Sequence, residues 1–227
     1  MLQKEPRILS AIGILLISIV LSIAIVIAAA LILSIEGLLS LEQVLTVITA
    51  IAIPVFDACL LATTLPFIIR RGLVSYLGIR SELNLIISGL VWGVGVFAVN
   101  FATSLAVTQL LGEGLYGGIY EYFINYPLTK YVFIASAILL APIAEELYFR
   151  GVLYVSLRAR LGVLGGAVLS AVVFAAIHGL PAAFITLLIV GLMLAYVFER
   201  YKSLTPAIIA HLVNNSISMC ILLARAP

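Results

Sequence analysis

Seven long apolar runs take up most of this chain of 227 residues, near 8 to 35, 43 to 69, 83 to 111, 131 to 157, 161 to 180, 182 to 198 and 204 to 224. Charged residues or Pro/Gly clusters bound each run. Each is about as long as the 20 or so residues a helix needs to cross the hydrocarbon core of a bilayer. Inside lipid a backbone finds hydrogen-bond partners only in itself, so the runs must be helices. The expected fold class is therefore all-α, a polytopic transmembrane bundle of seven helices, or eight if a further one hides between the third and fourth runs. Composition agrees: 64% of residues are hydrophobic and 10% charged, with a mean hydropathy of +1.30, against about 25% charged in an average soluble domain. A single transmembrane domain over 1–227 is expected. Its first part, 1–111, lacks recognisable motifs, and a helical core at 130–224 carries the buried polar groups.

The formal charge of +2 is too small to suggest a nucleic-acid partner, and no basic helix carries aromatics at stacking intervals. The lipid bilayer is the expected surrounding. Cys59 and Cys220 fall in apolar runs without metal-type spacing and read as small hydrophobes rather than a disulfide. The opening run is too long for the apolar part of a signal peptide and reads as a retained first span.

Positively charged loops stay cytoplasmic, so the placement of Lys and Arg sets orientation. With seven alternating spans and Arg150 set aside, Lys4, Arg7, Arg70, Arg71, Arg80, Arg158, Arg160, Arg200 and Lys202 share one side, and Lys130 and Arg225 take the other. An N-terminus in the cytoplasm and a C-terminus outside is expected. The aromatic segment "EGLYGGIYEYFINYP" reads as lying along the interface, and is where an eighth helix would hide. The spacings Gly89 to Gly93 and Gly162 to Gly166 are read as close helix contacts.

The stretch "LLAPIAEELYFRGVLY", residues 139 to 154, puts three charges inside a span. Unpaired, Glu145, Glu146 and Arg150 would together cost roughly 7 to 10 kcal/mol at the bilayer centre. Glu146 and Arg150, four apart with the acid first, form a same-face ion pair on a helix. Glu145 is left over, about 100° round, facing a different neighbour. A carboxylate without a nearby cation is suited to taking a proton from water. Pro142 removes one helical hydrogen bond and can kink the span or open a carbonyl near the site.

Both histidines of the chain lie within spans. His178 ends "VVFAAIHG"; His211 opens "AHLVNNS", with Asn215 one turn later on the same face. Measured at 1.5 Å per residue from the positive flanks, Glu145 and His178 lie about 20 Å deep, His211 about 13 Å and Asn215 about 20 Å. Three helices can thus bring them to one wet cavity. Asp57, in the second span, is expected to pair structurally with Asn100 or Thr103.

"EELYFR", "FAAIH" and "HLVNN" resemble, in order and approximate interval, the EExxxR, FxxxH and HxxxN motifs of the CAAX protease and bacteriocin-processing family of intramembrane endopeptidases, also called the Abi family. The resemblance covers roughly residues 130 to 220. It implies a glutamate-dependent membrane protease that uses neither metal nor other cofactor. Carried onto this chain, Glu145 and His178 would activate the attacking water, His211 and Asn215 would donate to the oxyanion, and Glu146 and Arg150 would shape the site. Its substrate would be a membrane-associated peptide or protein, prenylated or not. The cavity is expected to open toward the cytoplasmic side. Glu and His are also zinc ligands and proton relays. A zinc metalloprotease, a proton-coupled transporter and a non-catalytic membrane scaffold therefore stand as alternatives, separable by metal content and by solute flux in liposomes.

Overall fold

The computed structural model describes residues 5–35, 41–111 and 127–224, all helix and connecting turns. Helices α1 (Ile8–Ile35), α2 (Leu41–Arg70) and α3 (Leu83–Leu111) come first. Next follows a long interrupted helix: α4 (Pro127–Ala135), a π-helical stretch Ser136–Leu140, α5 (Ala141–Glu145) and a second π-helical stretch Glu146–Tyr154. Then come α6 (Val155–Ile177), a single 3-10 turn Pro181–Ala183, α7 (Phe184–Tyr201) and α8 (Leu204–Ala224).

The bundle is inside-out relative to a water-soluble protein. On α1 the large residues Ile12, Leu16, Ile17 and Val20 are exposed, while Ser18 and Ser22 are buried. Ser18 Oγ bonds back to Ile14 O at 2.8 Å and lies 2.8 Å from Thr63 Oγ1 of α2. Such a surface is stable only against hydrocarbon, where exposed apolar side chains carry no hydration penalty and polar ones must turn inward. Among the described residues, six helices are long and apolar enough to cross a membrane. This is a multi-pass membrane protein.

One of those six runs unbroken from Lys130 to Ile177, 48 residues, and a straight rod of that length would reach about 72 Å, more than twice the roughly 30 Å hydrocarbon core. It does not stay straight. Gly162 takes φ 72° and ψ −179°, a conformation open to glycine, and the chain doubles back. A Cβ at Gly166 would sit 2.8 Å from Arg158 N, and Ser170 Oγ donates to Phe149 O at 3.1 Å across the hairpin. Divided there, the six span-length helices become seven helical segments, one for each apolar run of the sequence. Gly162 is thus a turn residue rather than half of a packing pair, and Gly166 serves the return of its own hairpin. The arm 163–177 rises only about 23 Å. It ends at His178 and at Gly179, whose φ is 64°.

Gly89 and Gly93 do what their spacing predicts. On α3 they face α8, where a Cβ at Gly89 would lie 2.6 Å from Ile209 Cβ and one at Gly93 would lie 2.5 Å from Val213 Cβ. Backbones approach closely only where side chains are absent. α1 packs on α2, α6 on α7, and α2 on the stretch from α4 to the second π segment. Several basic residues expected on one side do meet at one end. Arg80 exchanges backbone bonds with Thr205 Oγ1, Leu204 N donates to Leu77 O, and Arg158 sits 3.1 Å from Glu199, which also pairs with Lys202. Lys4, Arg225 and residues 112–126, on which the interfacial reading and the eighth span depended, lie outside the described residues.

The α3–α8 contact yields a controlled test. Gly93→Ala is expected to lower stability by about 1–3 kcal/mol through overpacking, read as thermal unfolding in detergent. Gly95→Ala, with nothing within 4 Å of the added Cβ, is expected to cost nothing.

Candidate active site

Glu145 closes α5 and Glu146 opens the second π segment. Consecutive helical residues diverge around the axis, so the two carboxylates meet different partners. Both are buried, Glu146 completely. Its Oε1 accepts from Arg150 Nη1 at 2.7 Å and from His211 Nδ1 at 2.9 Å. The expected pair with Arg150 is present, and His211 is a second partner that spacing did not assign to Glu146.

Arg150 is held from three directions, while its Nε and Glu146 Oε2 are buried without a hydrogen-bond partner among the described residues. Besides Glu146, its Nη2 donates to Gly191 O at 3.0 Å, and its guanidinium carbon stands 4.9 Å from the centre of the Phe174 ring. Gly191 lets α7 come close to α6 here, because a Cβ there would lie 3.0 Å from Ala171 Cβ and 3.3 Å from Phe174 Cδ1. A guanidinium over an aromatic face gains electrostatically, more so away from water.

Glu145 faces the two imidazoles. Its Oε1 is 3.8 Å from His178 Nε2 and its Oε2 is 3.7 Å from His211 Nε2. Both separations exceed a direct hydrogen bond and suit a bridging water. The tautomers follow from the other ring nitrogens. His178 Nδ1 lies 2.7 Å from Phe174 O. A carbonyl only accepts, so Nδ1 carries a proton and Nε2 is the ring nitrogen turned toward Glu145. Glu146 imposes the same polarity on His211. Phe174 walls the group, its ring centre 4.8 Å from that of His178 and 6.0 Å from that of His211. His178 is about a quarter exposed, at 26%, whereas His211 is buried at 4%, so the group reaches the surface of the bundle on the His178 side.

Five predicted residues, Glu145, Glu146, Arg150, His178 and His211, thus form one contact network. Asn215 stands at its edge. One turn beyond His211, its amide donates to Ala137 O at 2.9 Å and its Oδ1 accepts from Asn214 at 2.9 Å. Asn214 in turn accepts from Asn100 of α3 at 3.0 Å. Sequence reasoning left Asn214 without a role and offered Asn100 to the wrong partner. The available signal was that each is an amide in the middle of an apolar span.

Asp57 corrects an expectation. It accepts from Ser136 at 3.0 Å, not from Asn100 or Thr103. The reason is packing: α3 lies on α8 and α7, while α2 lies against α1 and the first π segment. Thr103 bonds back to its own helix at Val99 O and Asn100 O. Asp57 is buried and within electrostatic reach of Glu145. Cys59 and Cys220 are both unpaired thiols. Among the described residues no group of three or more His, Cys, Asp or Glu side chains has the arrangement of a metal site.

Residues 127–217 match the family described as type II CAAX prenyl endopeptidase Rce1-like, consistent with the CAAX protease and bacteriocin-processing resemblance of 130 to 220. No curated protein and no solved structure matches the chain.

Arg150→Met keeps much of the side-chain volume but strands Glu146, and is expected to destabilise the protein by about 3–5 kcal/mol. Adding Glu146→Gln should recover most of that loss. Thermal unfolding of both variants in the same detergent checks the pairing.

Proposed function

We propose that this chain is an intramembrane endopeptidase that hydrolyses a peptide bond of a membrane-associated substrate, with Glu145 as general base. The observation that carries the reading is a buried carboxylate flanked at 3.7 and 3.8 Å by the Nε2 atoms of two histidines from two other helices. A water between Glu145 and His178 is held by two acceptors. It passes one proton to Glu145 while its oxygen attacks the carbonyl carbon of the scissile amide. Asn215 donates to the developing oxyanion. His211 can do so only as the imidazolium, because its Nδ1 already donates to Glu146. As the C–N bond breaks, Glu145 returns the proton to the leaving amine, so protons and electrons balance within the site. General-base assistance contributes about 10²–10⁴-fold, and each oxyanion donor about 10²–10³-fold.

Glu146, Arg150 and Phe174 set the position of His211 and keep its tautomer. The match of 127–217 to a prenyl endopeptidase family supports a substrate whose C-terminal segment is anchored by a prenylated cysteine, with cleavage releasing the residues that follow it. The positive residues gathered at one end support a cytoplasmic location for that end and for the N-terminus.

The test uses the full chain in liposomes with a fluorogenic farnesylated CAAX peptide. Glu145→Gln is expected to lower turnover at least about 10³-fold with normal insertion; undiminished cleavage would reject the assignment. For orientation, Arg80→Cys in a Cys220→Ser background should react with an impermeant thiol reagent in inverted vesicles and not in right-side-out ones.

A further inference from the structure

We infer that Asn100 and Asn214 are positioning residues: with the Ala137 carbonyl they form a directional amide relay that fixes which end of the Asn215 side chain faces the substrate. This deepens the proposed protease reading and rests on it. The relay begins with a helical carbonyl left without a donor. In the first π segment the N–H of Ala141 bonds to Ser136 O, so it bypasses Ala137, its partner in an α-helix. The next N–H along would serve Ala137 in π register, but position 142 is a proline and has none. Neither register satisfies Ala137 O. The amide of Asn215 does, at 2.9 Å.

That bond sets a polarity. An asparagine side chain can flip, exchanging a donor for an acceptor at nearly the same position, and its orientation is read from its partners. Flipped, Asn215 would set its own oxygen against the Ala137 oxygen. In the observed direction Asn215 Oδ1 is free to accept from Asn214 Nδ2 at 2.9 Å, and Asn214 Oδ1 accepts from Asn100 Nδ2 at 3.0 Å. Ser104 Oγ approaches Asn100 Oδ1 at 3.4 Å at the far end. Every amide donates toward the site. Asn100 and Asn214 are buried, at 9% and 4% exposure, where a lost partner is costly, so the three amides are constrained to turn together or not at all. The close α3–α8 packing at Gly89 and Gly93 brings Asn100 within reach.

The catalytic consequence is preorganisation. One amide hydrogen of Asn215 is held by Ala137, and the same orientation presents the other as a donor. An unrestrained amide would present its oxygen part of the time and repel an oxyanion. A donor fixed before the reaction costs no reorganisation during it.

The experiment compares Asn214→Leu, Asn100→Leu, Asn215→Ala and the corresponding doubles in the liposome assay. Asn215→Ala is expected to lower kcat about 10²-fold, and Asn214→Leu and Asn100→Leu about tenfold each with KM within about twofold. On the Asn215→Ala background neither leucine variant should cost anything more. Equal losses on both backgrounds, or an unchanged kcat in the single variants, overturn the relay. A substrate-free measurement separates this from the protease reading itself. In protein labelled with ¹⁵N-asparagine, the side-chain resonance absent from Asn215→Ala should shift in Asn214→Leu and Asn100→Leu. If it stays in place, the relay is wrong whatever the chain cleaves; if it shifts while Glu145→Gln retains full cleavage, the relay stands and the assigned base falls.

Discussion

The polar interior of this bundle depends on the guanidinium of Arg150. Two adjacent carboxylates in hydrocarbon cannot both remain without compensation, and among the groups contacting Glu146, Arg150 is the one whose charge is permanent. By pairing with Glu146 at 2.7 Å, holding Gly191 O and resting on Phe174, it ties the second π segment to α6 and α7. That arrangement leaves the remaining lone pair of Glu146 Oε1 directed at His211 Nδ1. The Nδ1 proton of His211 is therefore held by a carboxylate that Arg150 fixes in place. Removing that one charge would disturb the imidazole as well as the helix.

Much of this was legible in the sequence, for identifiable reasons. Long apolar runs have one stable outcome in lipid, so the spans emerge within a few residues of their observed limits. The i, i+4 relation of Glu146 and Arg150 survives in the π segment, and the divergence of Glu145 follows from helical rotation alone. What escaped depends on register and on long-range packing. No local periodicity announces that a helix will widen into π geometry, and the role of Pro142 could be stated only as an opened carbonyl without naming which. Gly162 and Gly166 have the spacing of a packing pair, yet a positive φ at Gly162 makes it a turn; spacing does not report dihedrals. Asp57 found Ser136 because α2 and α3 are not neighbours at that depth, a fact of topology rather than of composition.

The two π segments flank Glu145 on either side, with a five-residue α turn between them. A helix that changes register twice around one residue exposes carbonyls and rotates side chains away from their α-helical directions, and such insertions recur at functional sites. Here the upstream change leaves Ala137 O to Asn215, while Glu146 and Arg150 stay paired through the downstream one. The same helix thereby contacts α8 twice, through Ala137 with Asn215 and through Glu146 with His211. Two contacts one α8 turn apart define the rotation of α8 more tightly than apolar packing, which tolerates sliding.

The wall of helices is interrupted where α6 ends. Non-helical backbone at membrane depth is tolerated only when its polar groups are satisfied or wet. The turn from His178 to Phe184 meets much of that demand internally. Gly179 N donates to Ala176 O at 3.1 Å, Ala183 N donates to Leu180 O at 3.0 Å, Phe184 N donates to Pro181 O, and Pro181 itself has no donor to satisfy. His178 likewise returns its Nδ1 proton to Phe174 O. What the turn leaves outward is the Nε2 edge of His178, beside Glu145 and partly exposed. Because the turn is largely self-sufficient, its backbone makes few demands on the polar group of Glu145, His178 and His211.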